Sequence, residues 1–157
     1  MTKILLLSLI FLFSLTTLKA QENFENSTLA LMENIATNSK QKNVIDFLKK
    51  TNYEKVSESD DEGVTSYYFM GPDSEMMRIV YNKSKKLKQI TTIISSVYPI
   101  LIDMQTNLSK HKFENVNYSF FMWRKPSSPY QFLTQKDDED SYKNIVHLVT
   151  KNSELYK

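Results

Sequence analysis

The chain has 157 residues, of which 41% are hydrophobic and 24% are charged, with 2 Gly and no Cys. This composition is typical of a globular domain, and a chain without Cys has no disulfides, thiolate metal sites or cysteine nucleophiles. The two isolated glycines, Gly63 and Gly71, are too few for a phosphate-binding loop, a dinucleotide fingerprint or a G-x-S-x-G nucleophile elbow.

Residues 1–20 have the pattern of a secretory signal peptide. Lys3 gives a positive start, an apolar run follows over 4–15, and Ala20 precedes a sharply polar segment. The run is shorter than the roughly 20 residues that span a bilayer, whereas the order of basic, apolar and small residues matches a signal peptide. We expect cleavage after Ala20, a periplasmic or secreted location, and no stable membrane anchor in the mature chain.

Cleavage after Ala20 also changes the charge of the protein. The removed segment contains Lys3 and Lys19 and no acidic residue, so the formal net charge falls from +2 to 0. Clustered cations supply most of the affinity for nucleic acid, so nucleic-acid binding is not expected of a neutral chain. Residues 21–157 are long enough to bury one core without disulfides, and we expect them to form a single α+β domain.

The first half is predicted to begin with helices and to continue with strands. Apolar residues recur at helical spacing over 29–36, after a cap at Ser27 or Thr28, and again over 44–48. Alternating or β-branched runs separated by turn residues then predict strands. The predicted strands of this half are 53–59, 64–69, 76–81 and 87–94.

The second half repeats this order of elements. A helix is predicted from Ser95 or Ser96, with Pro99 in its first turn, and strands follow at 119–123, 130–134 and 142–149. The segment 48–56 matches 108–116 position by position, and 66–70 matches 119–123. We interpret this as a tandem duplication with repeats 27–95 and 96–151. The predicted fold is α+β: two helix-plus-antiparallel-meander halves, with the helices packed on one face of an antiparallel sheet.

This order of elements resembles that of small exported proteins built from helix-plus-meander halves, such as the secreted β-lactamase inhibitors. The resemblance covers the order of elements over the mature chain and includes no specific motif. Those inhibitors contain disulfides, which a chain without Cys does not form. No residue role is therefore transferred from them.

Few residues carry a catalytic or metal-binding pattern. His111 and His147 are the two histidines, and neither belongs to an H-x-x-x-H or H-E-x-x-H motif. The acidic runs 60–62 and 137–140 lack the spacing of a calcium loop and are interpreted as solvated turns. No cofactor and no metal are expected. A Ser-His-Asp assembly, or a carboxylate pair contributed by distant segments, stays open.

Two predicted strands, 67–70 and 120–123, are apolar on both faces. In one interpretation both are central strands that are covered on two sides; in the other, the face turned away from the helices binds a partner. Trp, Tyr and Arg are frequent anchors of binding interfaces. The candidate partner-binding residues are Phe121, Trp123, Arg124, Tyr68 and Met70.

The sequence therefore predicts an exported, soluble, non-enzymatic protein that binds another macromolecule, a protein of the exported compartment. A carrier of a small hydrophobic ligand and a small hydrolase with a dispersed site are the alternatives. An apolar cavity would favour the carrier, convergent polar groups with perturbed pKa values the enzyme, and an exposed aromatic face the binding protein. The sequence does not define an oligomeric state.

Overall fold

The structure, a computed structural model, describes residues 21–96, 99–117, 121–137, 139–140 and 142–157. The predicted signal peptide, 1–20, lies outside the described residues. So do Val97 of the second helical pattern and positions 119–120 of a predicted strand.

The described residues form three α-helices, two short 3₁₀ turns and eight β-strands. The helices are α1 (Ser27–Asn38), α2 (Val44–Lys49) and α3 (Ile100–Lys110). The strands are β1 (Glu54–Asp61), β2 (Val64–Met70), β3 (Met76–Tyr81), β4 (Leu87–Ser95), β5 (Glu114–Asn117), β6 (Met122–Arg124), β7 (Tyr130–Lys136) and β8 (Lys143–Thr150). None of the described helices is long and apolar enough to cross a membrane.

All eight strands form one antiparallel sheet in the order β1-β2-β3-β4-β8-β7-β6-β5. The last strands of the two predicted halves, β4 and β8, therefore pair at the centre, and the first strands, β1 and β5, lie at the edges. The β1–β2 register shifts between Lys55 and Ser57, and the β5–β6 register between Asn115 and Asn117. The matched segments align Lys55 with Asn115, where each shift begins, although the tandem duplication itself stays a prediction.

Local signals explain where the helices begin. The side chain of Asn26 caps α1 by accepting a hydrogen bond from the Leu29 N–H at 3.1 Å, which satisfies one of the free donors of the first turn. The cap thus lies one residue before the predicted Ser27. Pro99 occupies the cap position of α3, where its missing N–H costs nothing.

The main core lies between the three helices and one face of the sheet, which confirms the predicted α+β arrangement. The helices contribute fully buried residues, and so does the facing side of the central strands, as their alternation requires. Helix residues of this core include Leu29, Met32, Ile35, Leu48, Met104 and Leu108; strand residues include Phe69, Met77, Ile79, Ile90, Phe132 and Leu148. Burying each such side chain stabilises the fold by about 1.5–3 kcal/mol.

The opposite side of the sheet, called here the helix-free face, is covered in part by the C-terminal residues 151–157. A second small core forms there from Met122, Leu133 and Val149, with Tyr156 packed against them. The side chain of Gln131 anchors the segment by bonding the backbone N–H and C=O of the last residue.

Candidate functional site

The five predicted partner-binding residues divide between the two faces of the sheet. Tyr68 and Met70 lie on the helix-free face of β2, because strand alternation sets them opposite to the core residue Phe69. Arg124 is exposed and lies, by strand alternation, on the same face as Met122 of the second small core, which is the helix-free face. The structure therefore brings Tyr68 and Met70 together and separates them from the β6 residues by four intervening strands.

Trp123 lies on the helix side of the sheet, in the main core, and is only 8% exposed. Its indole N–H donates to the hydroxyl of Thr134 at 3.3 Å. Trp123 therefore does not lie on the face turned away from the helices, where the partner-binding interpretation requires it. The sequence alignment pairs Trp123 with Met70, but the strand register makes Trp123 the counterpart of the buried Phe69, one residue earlier.

Phe121 is 42% exposed and has a positive φ of 42°, a backbone conformation uncommon for a non-glycine residue. It contributes to a shallow groove of about 830 Å³ next to the end of α3, which an edge of Trp123 also lines. The other walls come from α3, from β5 and from the turn between them, which contributes Lys112 and the aromatic ring of Phe113. This groove therefore combines three aromatic side chains with polar and charged ones.

An apolar row crosses the uncovered part of the helix-free face. The strand register aligns Met70 with Met76, Met76 with Ile93, and Ile93 with Ile145, so the row spans β2, β3, β4 and β8. Met70 is 38% exposed and Met76 is 46% exposed, and the two isoleucines are half-buried. The sequence analysis identified only Met70 of this row, because the order of the strands in the sheet is needed to find the others.

A polar row lies beside the apolar row on the same face, and on each strand its residue is two positions away from the residue of the apolar row. It aligns Tyr68 with Arg78, Arg78 with Thr91, and Thr91 with His147. The Arg78 guanidinium lies over the Tyr68 ring, with Cζ 5.5 Å from the ring centroid, and Nη2 donates to the hydroxyl of Ser66 at 3.1 Å. Among the described residues no carboxylate lies within 4 Å of this guanidinium, so its charge is available to a partner.

His147 contributes an uncharged imidazole to the polar row. Its Nδ1 lies 2.9 Å from the Thr91 hydroxyl and 3.0 Å from Nε2 of Gln89. Burial lowers the pKa of His147 from 6.5 to about 4, because the loss of surrounding water destabilises the charged imidazolium. At neutral pH it is therefore a weak base, unsuited to removing a proton from Thr91.

A separate pocket of about 460 Å³ lies between α1 and the loop that follows β6. Glu33 on α1 is 1% exposed and contributes to its wall, together with Glu22, Lys125 and Tyr130. The Tyr130 hydroxyl donates to Oε1 of Glu33. Two causes raise the pKa of Tyr130: burial is the larger, and the hydrogen bond to Glu33 is the next. The phenol therefore stays protonated and acts as a donor.

His111 lies near this pocket, at the end of α3. Its Nδ1 is 3.6 Å from Oε2 of Glu22 and its Nε2 is 3.3 Å from Oε2 of Glu25. The hydrogen bond from Lys110 is the largest cause that lowers the pKa of the exposed Glu25 to about 2. Over the described part of the chain, no three His, Asp or Glu side chains are arranged to hold a metal ion.

The interpretation of the run 60–62 as a turn is correct only for Glu62, because Asp60 and Asp61 are the last residues of β1 and pair with β2. Asp60 accepts hydrogen bonds from the Gly63 N–H at 3.0 Å and from the Thr65 hydroxyl at 2.9 Å. Asp137 accepts from the N–H groups of Glu139 and Asp140, and these bonds lower the pKa of Asp137. Position 138 lies outside the described residues.

Comparisons with protein families, with curated proteins and with solved structures give no significant match.

Proposed function

We propose that this protein is exported, soluble and non-enzymatic, and that it binds another protein through its helix-free face. The observation that carries the proposal is the partly exposed row of Met70, Met76, Ile93 and Ile145 beside the stacked Tyr68–Arg78 pair. Exposed apolar surface adjoining polar side chains is characteristic of protein-binding sites, and Tyr and Arg are frequent binding anchors.

The two rows also define the chemistry of the partner. Methionine side chains adapt their shape to different apolar surfaces, so Met70 and Met76 suit an aliphatic or aromatic segment. The Arg78 guanidinium is held in a fixed orientation by Tyr68 and Ser66, which reduces the entropy cost of binding a carboxylate. We infer a partner surface that combines apolar side chains with at least one Asp or Glu.

The alternatives have less support. The pocket beside Glu33 includes two carboxylates and a lysine, charged groups to which a purely hydrophobic ligand offers no hydrogen bonds. A hydrolase needs a base that accepts a proton near neutral pH, and the lowered pKa of His147 disfavours that role.

Export is tested by the intact mass of the protein recovered from its native host. The proposal predicts a chain that begins at Gln21 and is found in the periplasmic or secreted fraction. Full-length protein in the cytosol would contradict both the signal peptide and the location.

Partner binding is tested by capture from the exported fraction with three baits: the unaltered chain, Met76→Glu and Ile102→Glu. Ile102 is a matched control, because it is 63% exposed and lies on α3, on the other side of the sheet. We expect mass spectrometry to identify one protein that the unaltered chain and Ile102→Glu retain and Met76→Glu loses. With that protein purified, we expect Arg78→Ala to weaken binding by at least about 30-fold, since anchor residues contribute about 2 kcal/mol or more.

Two results would contradict the proposal. If Met76→Glu and Ile102→Glu retained the same proteins, the binding surface would lie elsewhere. If the face instead paired with a second copy of the chain, sedimentation would show a concentration-dependent dimer that Met76→Glu dissociates, and the partner would not be a different protein.

A further inference from the structure

The carboxylate of Glu33 is buried next to the start of the mature chain. Its oxygens accept hydrogen bonds from the Glu22 N–H, at 2.9 Å for Oε1 and 3.1 Å for Oε2, and Oε1 also accepts from the Tyr130 hydroxyl. With 1% exposure the side chain has almost no contact with bulk water. A buried carboxylate in this environment is costly unless a cation compensates it.

The neighbouring acids have such cations, and Glu33 does not. Glu22 pairs with Lys125 and lies 3.6 Å from Nδ1 of His111, while Glu25 pairs with Lys110. No Lys, Arg or His nitrogen of the described residues lies within 4 Å of the Glu33 carboxylate.

The Glu33 carboxylate also has unused acceptor capacity. An ionised carboxylate accepts about four hydrogen bonds, yet among the described residues Oε2 receives only the longer branch of one shared N–H. The adjoining pocket of about 460 Å³ leaves space beside it. The chemistry that fits is an ammonium group, which supplies both the missing charge and additional donors.

We propose that Glu33 binds an ammonium group, and that this group is the α-ammonium of Gln21 in the chain processed after Ala20. The Gln21 nitrogen is held by covalent geometry within about 4 Å of the Glu22 nitrogen, which itself contacts both Glu33 oxygens. Gln21 is exposed, so its amine has room to turn toward Oε2. This inference rests on the proposed export.

The charge arises from the cleavage itself. Hydrolysis by the export machinery consumes one water, breaks the C–N bond between Ala20 and Gln21, and leaves a carboxylate on Ala20 and an amine on Gln21. That amine is protonated at neutral pH, since an α-amino group has a pKa of about 7.7–8.0. Before cleavage the same nitrogen belongs to a neutral amide, so processing creates the cation that compensates Glu33 and stabilises the exported chain.

The first test measures the pKa of the Gln21 amine by NMR in protein recovered from the exported fraction. We expect a pKa above about 9, because a buried carboxylate favours the charged amine, and an ordinary value in Glu33→Gln. Glu25→Gln is the matched control, since Glu25 is a nearby exposed acid that pairs with Lys110, and we expect it to keep the high pKa. An ordinary pKa in the unaltered protein would overturn the inference.

The second test modifies the Gln21 amine chemically and distinguishes it from a free amine as the source of the ammonium group. Selective acetylation of the Gln21 amine is expected to lower the melting temperature of the unaltered protein and not that of Glu33→Gln. Methylammonium chloride at millimolar concentration, against sodium chloride, should then raise the melting temperature of the acetylated protein alone. An equal rise in the unacetylated protein would show that the site is vacant and takes a free amine, which would overturn our assignment of its occupant.

Failure of this inference is distinguishable from failure of the proposed function. An exported chain that begins at another residue, or whose Gln21 has cyclised and lost its amine, would overturn the ammonium pairing and leave export standing. Partner binding through Met76 and Arg78 is measured separately and does not depend on either result.

Discussion

The guanidinium of Arg78 lies over the ring of Tyr68, with 5.5 Å between Cζ and the ring centroid, on the face of the sheet that the helices leave uncovered. The two residues pair directly across β2 and β3. A Tyr–Arg pair on a rigid sheet presents an aromatic surface and a cation in a fixed geometry, which favours protein recognition. This pair, and not Trp123 with Arg124, is the aromatic and cationic element of our binding proposal.

Trp123→Ala is expected to destabilise the fold by about 3–5 kcal/mol, the usual cost of truncating a buried aromatic residue to Ala. Trp123 is 8% exposed and its indole donates to Thr134. Urea unfolding measures the loss, with Phe121→Ala as the control, because Phe121 is 42% exposed. Equal and small effects of the two substitutions would show that Trp123 is not a core residue.

Tyr130→Phe is expected to lower the free energy of unfolding by about 1–3 kcal/mol, because the buried Glu33 carboxylate loses a donor. The control is Tyr142→Phe: Tyr142 is 59% exposed, and we expect a change within about 0.5 kcal/mol. Chemical denaturation at neutral pH compares the two. A Tyr130→Phe variant as stable as the control would show that this hydrogen bond contributes nothing.

Gly71→Ala is expected to destabilise the fold through a steric clash. A Cβ at Gly71 would lie 2.6 Å from Cζ of the buried Tyr53 ring, whose hydroxyl donates to Glu75. The φ of Gly71 is −97°, so backbone strain is not the cause. We expect a loss of about 1–3 kcal/mol, and a smaller loss when Gly71→Ala is introduced into a Tyr53→Leu background. An equal loss in both backgrounds would exclude the clash.

His147 is expected to reduce stability as the pH falls below neutrality. Burial lowers the pKa of His147 from 6.5 to about 4. Between these two pH values the unfolded chain binds more protons than the folded chain, so the free energy of unfolding decreases as the pH falls. At pH 5 this costs about 2 kcal/mol relative to pH 7.5. His147→Gln should lack that part of the loss. The measurement is the free energy of unfolding of each protein at pH 7.5 and at pH 5. The same pH dependence in both proteins would contradict the cause.

Much of the fold could be predicted from the sequence, because its signals are local. Helical spacing predicted α1, and the turn residues after position 59 predicted a hairpin between β1 and β2, whose turn is shorter than expected because β1 continues to Asp61. These features depend on neighbouring residues, so the periods of 3.6 and 2 are enough to find them.

The site was less predictable, because the orientation of a strand that is apolar on both faces cannot be determined from alternation. Met122 and Trp123 are both buried, one on each face, and only the strand register assigns them. Glu33 was missed for a different reason. It lies on the apolar side of α1, four residues after Leu29, which is a visible signal of a buried acid, but its environment depends on Tyr130 from a distant strand.

Site-specific photo-crosslinking tests the central claim, that the helix-free face binds a different protein. A photoreactive phenylalanine analogue replaces Met76 in one protein and Ile102 in another, and both are irradiated in the native exported fraction. We predict one discrete heavier product at position 76, containing a second protein with an acidic and apolar contact segment, and none at position 102. Equal products at both positions, or a product at position 76 that contains only two copies of this chain, would contradict the account.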